Sequence, residues 1–325
     1  MADALVSTPV ASGAGIAAIV LLGVAGYKVN KAKGVNSSIV PLMGVLGAFV
    51  FAAQMINFTI PGTGSSGHII GGVLLAAFLG PWAAFLTISS VLIIQCLIFA
   101  DGGLFALGCN IINMGAMSTL VAYPLIFRPL TRHRHSATRL VFASVLACLV
   151  GIEAGACGVT LETEFSGITA LPTNTFMALM TGIHLAIGIG EGLATGAILS
   201  FVVKSRPDLL ATSIETGEEH RRNMKKVIVG FGIATLLTGG ILAIFASAYP
   251  DGLEWSIQKL TGSTELPAHT DKVAGMLQNV QATTSVMPDY DSSYSGIIGA
   301  IMVVILVWSL TSLLTIGRRH KAIRE

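Results

Sequence analysis

Apolar runs about 20 residues long recur along this chain. They fall near 11–27, 39–56, 69–79, 83–100, 104–127, 138–158, 171–203, 227–247 and 296–316. Runs of this length match helices crossing a hydrocarbon layer of roughly 30 Å. Only 11% of the 325 residues are charged and 53% are hydrophobic, where a soluble domain carries about 25% charged residues. The predicted fold class is an all-α integral membrane protein.

Charge placement sets the expected topology. Lys28, Lys31 and Lys33 follow the first run, and Arg128, Arg132, Arg134 and Arg139 surround the fifth-to-sixth connection. Lys204, Arg206, Arg221, Arg222, Lys225 and Lys226 fill the segment after the seventh, and Arg318, Arg319, Lys321 and Arg324 form the tail. Every Lys and Arg except Lys259 and Lys272 lies in one of these clusters. Basic clusters mark the cytoplasmic side. Nine crossings that start outside place all four inside, with Gly80-Pro81 as a tight cytoplasmic turn and 171–203 as one long crossing, tilted or broken near Gly188–Gly192. The protein is then expected in the cell membrane, with its N-terminus outside and its C-terminus cytoplasmic. Residues 57–68, Asp101, 159–170 and the acidic segment 248–295 face outward.

Composition divides the chain. Residues 1–203 hold seven crossings rich in Gly and Ala, small residues that let helices approach closely in lipid. Residues 204–226, "KSRPDLLATSIETGEEHRRNMKK", read as a cytoplasmic linker. Residues 227–325 add two crossings around an outer loop at 248–295. There is no internal repeat. Met1–Val10 lacks the basic start of a cleavable signal. The four cysteines, Cys96, Cys109, Cys148 and Cys157, form no CxxC pair and read as small core residues.

Nucleotide-handling motifs are missing: there is no GxxxxGK[ST] loop for ATP. "GIGEG" (Gly188–Gly192) lies inside an apolar helix without a preceding strand, so it is not read as a phosphate loop. No Ser-His-Asp or HExxH pattern occurs, and nothing points to nucleic acid. Ionisable groups at membrane depth are costly and mark function by default. Here they are Glu153, His184 and Glu191. His184 and Glu191 are seven apart and share a helix face. They read either as a hydrogen-bonded packing pair or as part of an ion pathway. Asn110 and Asn113 share a face and suit polar groups between helices.

The stretch "INFTIPGTGSSGHIIGG" (Ile56–Gly72) sets His68 at the end of an outward loop shaped by Pro61, Gly62, Gly64 and Gly67. Neutral imidazole is a common ligand for Ni, Cu, Zn and Co. One histidine cannot hold a metal alone, and the amino terminus is expected on the same side of the membrane.

"GVLGAFVFAAQMINFTIPGTGSSGHIIGGVLLAAFLGPWAAFLT", then "LIFADGGLFALGCNIINMG" and "HLAIGIGEGLATGA", resemble the CbiM/NikM family over about the first 203 residues. That family supplies the substrate-binding membrane components of energy-coupling-factor transporters for nickel and cobalt. "YPDGLEW" (Tyr249–Trp255) and "MPDY" (Met287–Tyr290) resemble its accessory N component with a PDGLE signature, fused here in one chain. The resemblance implies import of Ni2+ or Co2+ as cargo and no resident cofactor. It also implies lipid surroundings, a separate transmembrane coupling (T) component and cytoplasmic ATPase (A) subunits. The PDGLE-type segment leans toward nickel. The implied site is a planar set of nitrogens near the outer surface. Its donors are the terminal amine, the amide and imidazole of a histidine at position two, and the imidazole of the SGH loop. That loop histidine maps onto His68, and the amine onto Met1. Asn57, Ser66 and Asp3 are supporting candidates, with His184 and Glu191 on the pathway. The chain reads "MADALVS", without the histidine at position two. Relatives in one branch carry Met-His ahead of this methionine, and a start two residues upstream is the expectation. Without the resemblance, two alternatives remain: a secondary transporter of a small organic solute using His184 and Glu191, and a membrane-embedded enzyme with Glu153, His184 and Glu191 as acid–base groups.

Overall fold

The computed structural model describes residues 1–31, 39–132, 136–206, 209–211, 224–267, 271–290 and 294–322. Most of the linker expected at 204–226, together with Lys33, Arg134 and Arg324, lies outside them. Among the described residues, seven helices are long and apolar enough to cross a membrane. Five precede the linker: α1 (Thr8–Lys31), α4 (Pro81–Phe99), α5 (Leu107–Thr131), α6 (Ala137–Ser166) and α7 (Thr173–Ser205). Two follow it: α8 (Met224–Gly240) and α11 (Ser295–Ala322). Between the first two lie α2 (Ile39–Gln54) and the short α3 (Gly72–Leu79). Large apolar side chains on these helices face outward, among them Ile19, Phe142, Phe201 and Trp308. Exposed apolar surface of that extent fits a lipid environment, so the chain is a multi-pass membrane protein.

Lengths refine the expected crossings. The run at 171–203 is one unbroken helix of 33 residues. The run at 69–79 yields only 8 helical residues, about 12 Å of helix, too short to cross alone. Gly80, at φ 76°, separates α3 from α4, and Pro81 opens α4 where its missing N–H is harmless. The segment at 55–71 includes the one departure, among the described residues, from an all-helical fold. Strands β1 (Phe58–Ile60) and β2 (Ser65–Gly67) form an antiparallel hairpin, with Thr59 opposite Ser66. Gly62 and Gly64 take the left-handed backbone that its tip requires.

Helix α7 packs antiparallel on α6 through a ladder of glycines. A Cβ on Gly188 would lie 3.1 Å from the Leu149 Cα, and one on Gly196 would lie 2.6 Å from the Val141 Cα. Gly192, between them, is pressed against Val145 in the same way. This spacing of four puts one bare stripe on α7 and brings the two backbones together. "GIGEG" is therefore a packing element.

The C-terminal part sits against the first. α8 and α11 flank α2, with Phe231 edge-on to Phe49 and Val303 near Gly47. The expected outer loop at 248–295 is itself folded into α9 (Gly252–Thr261), α10 (Lys272–Thr284) and a 3-10 turn at Pro288–Tyr290. Asp251 and Glu254 form a capping box on α9.

Candidate metal centre

His68 follows β2 directly. Burial and several hydrogen bonds fix the hairpin that carries it. Ser65 and Ser66 are fully buried, and the Ser66 N–H donates to the Pro250 carbonyl at 2.8 Å. The Ser66 hydroxyl donates to the Tyr249 carbonyl at 2.7 Å, and the Trp255 indole donates to the Thr63 carbonyl at 3.0 Å. The Ser247 N–H also donates to the Asn57 carbonyl at 2.7 Å. The "YPDGLEW" stretch thus clasps the hairpin from one side.

A cavity of about 530 Å³ lies under this clasp, and Met1, Asn57, His68, Asn110, His184 and Asp251 are among its lining residues. The Met1 amine donates to the Asn110 side-chain carbonyl at 2.8 Å, and the Gly103 N–H donates to the Met1 carbonyl at 3.1 Å. The sequence suggested Asn110 only as a helix-packing residue; it seats the terminus. Asp3 is buried and accepts the Ala106 N–H at 3.0 Å. Its carboxylate lies where a Gly103 side chain would be. Burial pushes the Asp3 carboxyl above the ordinary carboxylate range, against the opposing pull of the Ala106 and Phe105 hydrogen bonds and the terminal charge.

His184 and Glu191 do not bond to each other. The His184 Nδ1 pairs with the Met180 carbonyl at 2.7 Å. Glu191, 1% exposed, accepts the Ile70 N–H at 2.8 Å and the Gly71 N–H at 2.9 Å. Glu153 has a buried carboxylate oxygen with no hydrogen-bond partner and is not among the cavity-lining residues. Among the described residues, no three His, Cys, Asp or Glu side chains gather as a metal-binding group. All four cysteines are free; Cys96, Cys109 and Cys148 are buried and Cys157 is half-buried.

Several residues around the cavity were not signalled by the sequence. The Gln95 amide donates to Gln54, whose own amide donates to the Ile70 carbonyl, both at 2.8 Å. Gln281 of α10 donates to the carbonyls of Cys96 and Gly102 at 3.0 and 2.8 Å. Tyr290 donates to Asp101 at 2.6 Å and stacks on Phe99 at 4.6 Å. Glutamines and tyrosines in or beside apolar runs carry no pattern of their own, because their meaning depends on the partner.

Two known families match successive parts of the chain. Residues 1–209 match the family described as cobalt uptake substrate-specific transmembrane region, CbiM, and residues 225–316 match the PDGLE domain. A protein of Archaeoglobus fulgidus named as a fused nickel transport protein, NikMN, is 30% identical over 314 residues, covering 92% of this chain and 94% of its own length. The fused nickel transport protein NikMN of Rhodobacter capsulatus is 27% identical over 286 residues, covering 81% and 80%. A crystal structure of a transition metal transporter superposes with a TM-score of 0.56 at 32% identity, covering 64% of this chain and 93% of that one. The chain belongs to the CbiM family of cobalt-uptake membrane proteins, and it continues into a PDGLE domain.

Proposed function

We propose that this chain is the substrate-binding component of an energy-coupling-factor importer for Ni2+ or Co2+. It captures the ion outside the cell membrane and works with a separate transmembrane coupling protein and cytoplasmic ATPases. In this reading residues 1–203 form the metal-binding bundle, 204–226 a cytoplasmic linker and 227–325 the accessory segment. Nine crossings start outside, with α3 and its preceding loop counted as one of them. His68 and the terminal amine are ligands, and nickel is favoured over cobalt. The supporting observation is that Met1 and His68, far apart in sequence, line one cavity. Amine, amide and imidazole nitrogens in a plane suit Ni(II), and Co(II) is also accommodated. His184 lines the same cavity, which is consistent with a place on the path of the ion.

The test is His68→Ala in the purified full chain, with bound nickel and cobalt measured by metal analysis. The expected outcome is loss of bound metal with the fold retained, since the half-buried loop-end side chain leaves no large core cavity. Metal binding at the parent's affinity in that variant overturns the assignment. Co-purification with a coupling protein and ATPase separates this reading from a stand-alone transporter.

A further inference from the structure

We propose that Glu191 is a positioning residue for His68, a role that rests on the reading of His68 as a metal ligand. The sequence marks Glu191 as a costly carboxylate in an apolar helix and a pathway candidate. In the fold both its oxygens are used: Oε2 accepts the Ile70 N–H at 2.8 Å and Oε1 the Gly71 N–H at 2.9 Å. These are the second and third peptide groups after His68. Gly71, at φ 78°, adopts the left-handed turn at which the two successive N–H groups converge on one carboxylate. Successive N–H groups around such a turn make a concave seat for an anion.

The same stretch is held from its other side. The Ile70 carbonyl accepts from Gln54 of α2, and Gln54 accepts from Gln95 of α4. The residue before His68 is fixed as well. A Cβ on Gly67 would lie 2.6 Å from the Ile187 side chain, so the backbone rests on α7 there. Ile187 and Glu191 are one helical turn apart on one face of α7. His68 therefore stands between two points that are both registered on the same helix. Non-helical backbone at membrane depth is tolerated where protein satisfies its polar groups, and Glu191 and Gln54 do so for residues 70 and 71. A planar set of donors tolerates little error in the direction of an imidazole. The device that fixes the peptides next to it then fixes the ligand.

The carboxylate offers one acceptor to each of the two N–H groups. The full chain, His68→Ala, Glu191→Gln, Glu191→Ala and Gln54→Ala are purified. Ni2+ is the probe, read by dissociation constant, by the visible d–d spectrum of the bound ion and by thermal midpoint. Loss of a group that orients a metal ligand weakens binding about 10–100-fold. Glu191→Ala is expected to fall in that range and to shift the spectrum of the nickel that remains bound away from that of a planar site. Glu191→Gln keeps one acceptor and is expected to lie between parent and Glu191→Ala in both readouts. Gln54→Ala, which frees the Ile70 carbonyl, is expected to shift the spectrum in the same direction and carries the test if Glu191→Ala does not fold.

A folded Glu191→Ala with parental affinity and spectrum overturns the proposal. A lowered midpoint with an unchanged spectrum in these variants would mean a purely structural role and also overturns it. Failure of the underlying reading is separately visible: His68→Ala would then bind nickel as the parent does.

Discussion

The backbone of Ser66 donates to the carbonyl of Pro250 at 2.8 Å, across 184 residues of sequence. That bond joins the hairpin before His68 to the first residues of the PDGLE stretch. On its other side the same segment is held by α7 through Ile187 and Glu191. The candidate ligand is thus gripped between two parts of the chain that the sequence presents as separate.

Gly252 makes this grip close. A Cβ there would lie 2.9 Å from both the His184 ring and the Ile187 side chain, nearer than real side-chain carbons approach. Gly252→Ala is expected to push α9 away from α7 and to lower stability by about 1–3 kcal/mol, the usual range for overpacking. Proteolysis of the 58–67 hairpin should accelerate. A thermal midpoint and cleavage rate equal to the parent's would show that the clasp has slack.

Asp3 gives a pH dependence with a definite sign. Its carboxyl is raised in the folded chain by burial, so the seated segment holds a proton more tightly than a released one. Its contribution is most favourable below the unfolded value of 3.8 and is lost as pH rises through the folded value. Asp3→Asn keeps an oxygen for the Ala106 N–H without burying a charge. It should raise the thermal midpoint at neutral pH, and this gain should shrink as the pH is lowered toward 4. A gain that grows on acidification would reverse the argument.

The terminus offers a direct comparison. Adding Met-His before Met1 supplies an imidazole and a further amide on the side of the chain that lines the cavity with His68. The extended chain should bind nickel and cobalt more tightly than the sequence beginning at Met1. Binding by either should fall at low pH, because amine, amide and imidazole coordinate only when deprotonated. Equal, tight binding by both chains would show that another group completes the site.

Topology is open to labelling. A cysteine at Ser263, in the exposed segment after α9, should react with a membrane-impermeant reagent in intact cells. One at Ser205, the exposed end of α7, should react only after permeabilisation. The motive is the basic clustering at 204–226 against the acidic 248–295 segment. Labelling of Ser205→Cys from outside would overturn the proposed orientation.

The membrane character, the long helices and the candidacy of His68 are legible in the order of residues alone. These rest on local quantities: hydropathy summed over a helix length, charge flanking each run, and a glycine-rich loop ending in imidazole. The sequence also flagged Glu191 and His184, because an ionisable group in an apolar run is conspicuous. What those groups bond to follows from the packing of the helices. Glu191 and His184 share a face yet hold different partners, and Asn110 binds the chain terminus. The run at 69–79 became 8 residues of helix behind a hairpin whose second strand is buried, since protein side chains satisfy the backbone that a free-standing crossing would have to pair internally. A buried hydrogen bond is fixed by two positions at once. Its second position, such as Pro250 for Ser66 or Ile70 for Glu191, is chosen by the packing of whole helices and leaves no local trace in the order of residues.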